Sequence, residues 1–343
     1  MKNKIFGLDI GATTLKAVWM DKKNEGYLLN SVFTAATPQK GMLSESPFDQ
    51  EEMAQVIVKL LKDASIRAKS VNISLPENQV FTKVIETPLL TDKELASAMY
   101  WEAEQYIPVP LNTVTLDYQI LRSPELSETN PKMTILLVGA PTQLINKYET
   151  ILSMAGISIA AVETEILSVL RTIVTESSFP TTLIINIGAI STSFAIVKDN
   201  ILIFTYSVAV GGIALSRAIA ADFGFSSAQA EEYKKAYGIS DKNFGGKIGK
   251  ATEPVLSSIL TETKKSLAFY SEKYKDDPIK QIVISGGTAK LPGLNAFLAK
   301  NLGLEIVIAN PWKVLIPQDV PKEIIDDAPS YAVAVGLAMR EYE

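Results

Sequence analysis

The sequence predicts an α/β protein of two lobes built on one plan, with a small α/β subdomain inserted in the first half. The main observation is an internal repeat, because "FGLDIGATTLKAVWMDKKN" at 6–24 reappears as "LIINIGAISTSFAIVKDN" at 183–200. Each copy has an apolar strand, an Asp or Asn, Ile-Gly-Ala, a cluster of Thr and Ser, a second apolar strand and a charged turn. The length of 343 residues also favours about two domains.

Apolar patterning assigns the elements of the first half. Strands are expected at 5–10, 15–20, 27–33 and 70–76. Short turns join the first three strands, so they form a meander. Before the fourth strand, Asp49 and Glu52 form an N-terminal capping pattern for an amphipathic helix. This helix is expected to pack against the meander.

The stretch 77–156 has a rhythm of its own and is expected to form the inserted subdomain. It contains the strand "VFTKVIETP", a helix opened by the capping box "TDKE" at 91–94, and the strands "LDYQILR" and "MTILLVGAP". A final helix has one apolar face, formed by Leu144, Ile145, Tyr148, Ile151, Leu152 and Ala155.

The second half repeats the strand pattern and adds a helical insertion. After the strand "ILIFTYSVAV" come Gly211 and Gly212, a helix, a charge-rich stretch at about 222–249 and a long helix at 253–274. The expected division is a first lobe at 1–76, 157–178 and 326–343, the inserted subdomain at 77–156, and a second lobe at 179–325 with an insertion at about 213–275.

Composition excludes several classes of chemistry. The chain has no cysteine and no histidine, which rules out disulfides, thiol nucleophiles, His-based triads and zinc sites of thiolate or imidazole. Chemistry must therefore rest on Asp, Glu, Lys, Ser, Thr, backbone amides and a bound hard cation. A net charge of −5 without a long basic run argues against nucleic acid. With neither a signal peptide nor a spanning segment in view, we expect a cytoplasmic protein without direct membrane insertion.

Three glycine turns, each at the end of a strand, predict an anion site: "DIGATT", "NIGAIST" and "SGGTAKLPG". One such turn alone would be interpreted as structural. Amides freed by glycine can point at an anion, however, and Thr or Ser hydroxyls add donors. Two cradles that face each other would grip a polyphosphate, and the third would hold a nucleoside.

Two charged features have competing interpretations. Asp9 in the first cradle repels phosphate, so it favours a Mg²⁺ ion held there through water; the alternative is a carboxylate that caps the turn. Glu231 and Lys234 lie three residues apart, hence on one helical face. Taken alone, that pair is interpreted as a solvated surface salt bridge of small energetic effect.

Together, the three turns, the duplicated halves and the Glu231/Lys234 pair resemble the actin-like nucleotide-binding superfamily, whose halves are ribonuclease H-like. Within it, "IETPLLTDKELASAMYWEAEQYIPVPLNTVTLDYQIL" at 85–121 is similar to PilM-like proteins of type IV pilus assembly, as are "AEEYKKAYG" and "YAVAVGLAMRE". The resemblance covers nearly the whole chain, and the stretch at 85–121 is its most specific part.

The resemblance implies ATP or ADP, with Mg²⁺, bound between the two lobes. By motif position, the nucleotide-binding residues are Asp9, Gly11, Ala12, Thr13, Thr14 and Lys16 in the first phosphate loop, Asn186, Gly188, Ala189 and Ser191 in the second, and Gly212, Glu231, Lys234, Gly286, Gly287 and Thr288 around the nucleoside. Asp9 would organise the Mg²⁺ through water.

The chain departs from the superfamily pattern in two places. Asn186 stands where Asp is usual, and Tyr206 stands where Arg is expected. Asparagine keeps the turn geometry but loses the charge that helps to hold Mg²⁺ and to align an attacking water. Asp9 and Asn186 are thus the only catalytic candidates, and we expect nucleotide binding with at most weak ATPase activity.

The resemblance also implies a partner, the cytoplasmic N-terminal segment of a PilN-like inner-membrane protein. The sequence "WEAEQYIPVP" ends a helix with aromatic residues and a rigid Pro turn, which suits an extended peptide. The expected contacts are Trp101, Tyr106, Ile107, Pro108 and Pro110. The alternative is that these side chains close the subdomain's own core, which is the expected fate of Trp101 and Ile107 taken singly.

The leading hypothesis is a cytoplasmic nucleotide-binding scaffold, peripheral to the inner membrane through its partner, that serves pilus assembly and twitching motility. The alternatives are a competent ATPase or small-molecule kinase on the same fold, and an FtsA-like division protein. A kinase needs a carboxylate base, which Asn186 removes. A division protein of that type calls for a membrane-binding amphipathic tail, for which "GLAMREYE" is too short and acidic. Homo-oligomerisation and contacts with other pilus assembly proteins stay open.

Overall fold

The computed structural model describes residues 5–124, 131–173, 181–240 and 244–340. Within these residues the strands are, in chain order, β1 (Ile5–Ile10), β2 (Thr14–Lys23), β3 (Gly26–Ala36), β4 (Ser70–Leu75), β5 (Phe81–Pro88), β6 (Val114–Arg122), β7 (Lys132–Pro141), β8 (Ser158–Thr164), β9 (Thr181–Ile187), β10 (Thr192–Lys198), β11 (Ile201–Val208), β12 (Gln281–Ser285) and β13 (Glu305–Ile308). The helices are α1 (Pro47–Asp63), α2 (Asp92–Tyr106), α3 (Thr142–Met154), α4 (Glu165–Ile173), α5 (Gly212–Phe223), α6 (Ser227–Tyr237), α7 (Lys247–Lys273), α8 (Leu294–Leu302), α9 (Lys322–Asp326) and α10 (Ala332–Met339).

The two copies of the repeat form the same structural unit. One sheet has the strand order β3-β2-β1-β4-β8, and a second has the order β11-β10-β9-β12-β13. In each sheet an antiparallel meander of three strands continues into two parallel strands. Asp9 pairs with Lys16 in the first register, and Asn186 pairs with Ser193 at the matching point of the second. The predicted duplication is therefore confirmed at the level of sheet topology.

Helices α4 and α10 lie between the two sheets. Helix α10 packs on β1, where a Cβ on Gly7 would lie 2.4 Å from the carbonyl oxygen of Ala334. Helix α4 packs against the second sheet, where Val169 shares a buried cluster with Ile184. The helices cross so closely that a Cβ on Gly336 would lie 1.9 Å from the carbonyl oxygen of Ser168. Glycine is therefore required for the backbones to meet.

A buried ion-pair cluster ties the last helix to the first lobe. Glu163, at the end of β8, accepts hydrogen bonds from both Arg171 and Arg340 at 2.8 Å. Arg171 also donates to the carbonyl oxygen of Gly336 at 2.6 Å. A buried carboxylate is tolerated when several donors satisfy it, so this cluster anchors α4 and the C-terminal end of α10 on β8.

The inserted subdomain is a three-stranded antiparallel sheet of order β5-β7-β6, covered by α2, with a hydrophobic core of its own. The predicted capping box opens α2, since Thr91 and Glu94 exchange backbone and side-chain hydrogen bonds. Helix α3, which the sequence assigned to this subdomain, instead buries Leu144, Tyr148 and Ile151 in the core of the first lobe. The reason is that the apolar residues of α3 complete the same buried cluster as those of α1, while α1 also packs on β2 and β3 as the sequence predicts.

Two helices begin earlier than the sequence predicts. Helix α1 begins at Pro47, because proline is preset for the first helical turn, and Asp49 instead accepts from Ser44 and Lys40. Helix α7 begins at Lys247 and runs through Pro254. Its buried residues keep helical spacing on both sides of that proline: Ile248, Thr252, Leu256, Ile259, Thr263, Ser266 and Tyr270. Packing along the helix thus overrides the local preference for a break.

No helix within the described ranges is long and apolar enough to cross a membrane.

The α4–α10 crossing gives a stability prediction. Gly336→Ala should lower the free energy of unfolding by ~1–3 kcal/mol, because the added methyl group overlaps the backbone of α4. Urea denaturation measures the loss. Gly287→Ala is the matched control, since its Cβ would meet no atom within 4 Å. Equal stability of the two variants would show that the helices can separate at no cost.

Candidate functional site

The two repeated hairpins have the same turn and face one another across the gap between the lobes. In the β1–β2 turn the amide of Gly11 donates to the carbonyl of Thr14 at 3.1 Å. In the β9–β10 turn the amide of Gly188 donates to the carbonyl of Ser191 at 2.9 Å. Both turns line a single cavity of about 570 Å³. This volume suits a small organic ligand.

The cavity brings together every nucleotide-binding residue that the sequence suggested. Its lining includes Asp9, Gly11, Ala12, Thr13, Thr14, Lys16, Asn186, Gly188, Ala189, Ser191, Gly212, Glu231, Lys234, Gly286, Gly287 and Thr288. These residues come from both lobes and from segments almost 280 positions apart in the sequence. The structure therefore assembles them into one place.

The first lobe contributes a buried pair of opposite charges. Lys16 is only 8% exposed, and its Nζ lies 3.9 Å from Asp9 Oδ2 and donates to Thr14 Oγ1 at 2.8 Å. Burial raises the pKa of the Asp9 carboxyl, and the charge of Lys16 opposes that rise. Asp9 is the penultimate residue of β1, and its carboxylate lies beside the Lys16 ammonium.

The second lobe contributes a buried lysine at the floor of the cavity. Lys234 is 8% exposed, and its Nζ donates to Gly212 O at 3.0 Å, to Ser216 Oγ at 3.0 Å and to Glu231 Oε2 at 2.7 Å. The interpretation of Glu231 and Lys234 as a solvated surface pair is therefore wrong. A Cβ on Gly212 would lie 2.5 Å from Thr288 Oγ1, so glycine at this position leaves room for the Thr288 side chain.

The third glycine turn is held against the second hairpin. Gly286 has φ of +84°, and a Cβ there would lie 2.4 Å from the carbonyl oxygen of Ile187. Thr288 Oγ1 donates to Gly188 O at 3.2 Å. Asn186 Oδ1 accepts from Ser285 Oγ at 3.1 Å. Asn186 therefore joins β9 to β12 by an uncharged hydrogen bond.

Several lining residues carry charge or polarity that sequence reasoning missed. They are Lys40, Tyr148, Glu165, Lys235, Lys290, Asp327 and Ser330. Lys290 forms an ion pair with Asp327, whose carboxylate also accepts from Ser330 Oγ at 2.6 Å. No short motif marks these positions. Only the "TAK" of the third turn offered a signal, through Lys290.

The described lining residues favour an anionic ligand. They include five lysines (Lys16, Lys40, Lys234, Lys235 and Lys290) and four carboxylates (Asp9, Glu165, Glu231 and Asp327). Burial, and then the charge of Asp9, raise the pKa of Glu165 to about 8. Glu165 is therefore mostly protonated at neutral pH, which leaves the lysines in excess.

The residues suggested for partner binding are divided by the structure. Trp101 is 64% exposed on the outer side of α2, whereas Ile107 is 5% exposed and belongs to the subdomain core. The expectation that Ile107 contacts a partner is corrected, and so is the alternative that buries Trp101. Tyr106 is half exposed and donates from its hydroxyl to Thr82 O at 2.8 Å. The prolines that follow, Pro108 and Pro110, are exposed.

A model of the protein family described as type IV pilus assembly protein PilM matches residues 7–342. The chain belongs to this family. A solved structure described as a PilM-PilN type IV pilus biogenesis complex is 28% identical to the chain, covers 98% of both chains and gives a TM-score of 0.85. The resemblance inferred from the sequence is therefore confirmed.

More distant proteins resemble this PilM-family chain in sequence or in fold. Cell division protein FtsA of Streptococcus pneumoniae is 24% identical over 90% of the chain and 76% of its own length. Ethanolamine utilization protein EutJ from Carboxydothermus hydrogenoformans gives a TM-score of 0.59 at 14% identity, covering 97% of this chain and 88% of that one. MreB5 of Spiroplasma citri bound to AMPPNP gives a TM-score of 0.51 at 13% identity, covering 98% of this chain and 95% of that one. The predicted two-lobed actin-like α/β fold is confirmed.

Glu165 gives a pH prediction for this PilM-family protein. Its folded-state pKa lies above the ordinary value of 4.5, so between these values the folded protein holds a proton that the unfolded chain has released. The free energy of unfolding therefore falls as pH rises. Between pH 5.5 and 8.5 the unmodified protein should lose about 2–3 kcal/mol more than Glu165→Gln, by urea denaturation. The same pH slope in both proteins would contradict the assignment.

Proposed function

We propose that this PilM-family protein is a cytoplasmic, ATP- or ADP-binding scaffold of the type IV pilus assembly platform. Its inserted subdomain would bind the cytoplasmic N-terminal segment of a PilN-like inner-membrane protein, which would hold it beneath that membrane. The observation that carries the nucleotide part is the pair of matching hairpins facing across one lysine-rich cavity. The partner part is supported by the similar solved structure, which is described as a PilM-PilN complex.

The residues present fit a nucleoside polyphosphate. Lys16 of the first lobe would meet phosphate charge, and the hairpin turns of both lobes would add backbone donors. The three N–H donors of Lys234 are taken by two acceptors on α5 and by Glu231, so its side chain would border the nucleoside, as its motif position implies. Asp9 would hold a Mg²⁺ ion through water, and that ion would neutralise part of the phosphate charge. Glu231 would accept hydrogen bonds from ribose hydroxyls. The third turn, with Gly286 and Thr288, would border the base.

Hydrolysis is expected to be slow. Asn186 is engaged with Ser285 and offers no carboxylate to hold Mg²⁺ or to align water. Glu165 lines the same cavity, but its raised pKa keeps it largely protonated at neutral pH, which weakens it as a base. The proposed role of the nucleotide is therefore to hold the two lobes together rather than to drive turnover.

Lys16→Ala should weaken adenine-nucleotide binding about 10- to 150-fold, because a charged hydrogen bond contributes ~1.5–3 kcal/mol. Isothermal titration calorimetry with ADP and ATP in the presence of Mg²⁺ measures this loss. Lys23→Ala is the control, since Lys23 lies exposed at the far end of the same strand. The nucleotide assignment fails if the unmodified protein gives no heat with any adenine nucleotide.

Asn186→Asp should raise the rate of ATP hydrolysis, since it restores a carboxylate to the second hairpin. Phosphate release under single-turnover conditions measures the rate of both proteins. An unmodified protein that already turns over at about 1 per second or faster would support the alternative of a competent ATPase or kinase. No increase in the variant would show that Asn186 does not limit the rate.

A peptide with the cytoplasmic N-terminal sequence of a PilN-like protein should bind with micromolar or better affinity, near −8 kcal/mol. Tyr106→Ala should weaken this binding, because the ring borders the exposed turn at Pro108 and Pro110. Fluorescence anisotropy of a labelled peptide measures it. The control is Phe48→Ala, which removes an exposed aromatic from the first lobe, and ADP affinity should persist in both variants. Peptide crosslinks confined to 212–275 would place the partner on the other lobe.

A further inference from the structure

Glu77 is a buried carboxyl at the junction of all three parts of the molecule. It opens the short 3₁₀ turn Glu77–Gln79 that connects β4 of the first lobe to the inserted subdomain, and it is 2% exposed. A buried carboxyl is costly unless donors satisfy it. The donors that Glu77 receives come from different parts of the fold, and their origin makes the position informative.

One oxygen of Glu77 is shared between the inserted subdomain and the second lobe. Oε1 accepts from Thr82 Oγ1, on β5, at 3.3 Å and from Thr205 Oγ1, on β11, at 3.3 Å. Both bonds are long and involve neutral donors, so neither is strong. A small shift of β11 relative to β5 would therefore strengthen one bond at the expense of the other.

The other oxygen of Glu77 reaches the wall of the cavity. Oε2 accepts from the amide of Ile166 at 3.5 Å. Ile166 is the second residue of α4, and Glu165, directly before it, lines the cavity. A ligand that moves the first turn of α4 would thus move a donor of Glu77.

On the opposite side, Glu77 reaches a residue proposed to contact the partner. Thr82 donates to Glu77 through its hydroxyl and accepts from Tyr106 through its carbonyl, at 2.8 Å. The charge of Glu77 also contributes to raising the pKa of Tyr106, after burial. Continuous hydrogen bonds therefore run from the α4 turn through Glu77 and Thr82 to Tyr106.

We propose that Glu77 is the joint through which occupancy of the inter-lobe cavity regulates partner binding by the inserted subdomain. The inference rests on the proposed nucleotide and peptide functions and names the regulation that connects them. Closure of the lobes around a nucleotide shifts β11 and the first turn of α4, and Glu77 passes this shift to β5. A second contact, Lys273 Nζ to Glu86 Oε1 at 2.7 Å, keeps the subdomain beside α7 during the shift.

Coupling is measured as the ratio of peptide dissociation constants without and with saturating ADP. In the unmodified protein the ratio should differ from unity by at least about fivefold, and the peptide should change ADP affinity by the same factor. Thr205→Val removes only the donor from the second lobe, and Glu77→Ala removes the acceptor. Both substitutions should bring the ratio close to unity. The affinity of each ligand, measured in the absence of the other ligand, should stay nearly unchanged. Thr87→Val, on the same strand as Thr82, is the matched control and should keep the full ratio.

A ratio of unity in the unmodified protein overturns the proposal, as does full coupling in Thr205→Val and Glu77→Ala. Hydrogen exchange of the ligand-free protein separates this failure from failure of the proposed function. Glu77→Ala should speed exchange at the Ile166 amide and in β5 and β11. If neither ADP nor the peptide binds, the proposed function has failed. In that case, unchanged hydrogen exchange in Glu77→Ala independently rejects the proposed role of Glu77.

Discussion

The geometry of the whole molecule depends on the contact between α4 and α10 at Gly336. Because a Cβ there would lie 1.9 Å from the Ser168 carbonyl oxygen, the two helix backbones touch, and no side chain separates them. Helix α10 lies on the first sheet and α4 lies against the second, so this contact sets the distance between the sheets. The separation of the two hairpins follows from it. The cavity is thus a product of helix packing and not of the loops that line it.

Hydrogen bonds hold the lysines that line the cavity in place, and a bound proton neutralises one of its carboxyl groups. Lys234 is held by three acceptors, and Lys16 is held beside Asp9 and Thr14. Burial favours the neutral form of a carboxyl, so Glu165 retains a proton near neutral pH. Lysine charge is then left in excess before any ligand arrives. An anion that enters would displace water and meet protein donors that are already in position. The free-energy cost of ordering these donors is therefore reduced.

The inserted subdomain has its own core and meets the rest of the molecule through both apolar and polar contacts. Its apolar cluster under α2 is separate from that of the first lobe, but Leu136 on β7 is buried together with Ile184 of the second lobe. The junction also contains Glu77 with neutral donors and the ion pair of Lys273 and Glu86. Apolar packing holds the subdomain against the second lobe, whereas the hydrogen bonds of Glu77 can change length at small cost.

The sequence by itself determined the duplicated meanders, the hairpins at Gly11 and Gly188 and the capping box at Thr91, which depend on local spacing and turn chemistry within short stretches of chain. The set of residues that meets in one cavity followed from the resemblance to the actin-like superfamily. Only the tertiary structure decided that α3 covers the first lobe, that Trp101 faces outward while Ile107 is buried, and that Lys234 is enclosed. Only the tertiary structure places Glu77 at the junction of the three parts and Glu165 in the lining of the cavity. An amphipathic pattern states which face is apolar but not which distant element covers it, and the protonation of a carboxyl depends on groups that only folding brings near.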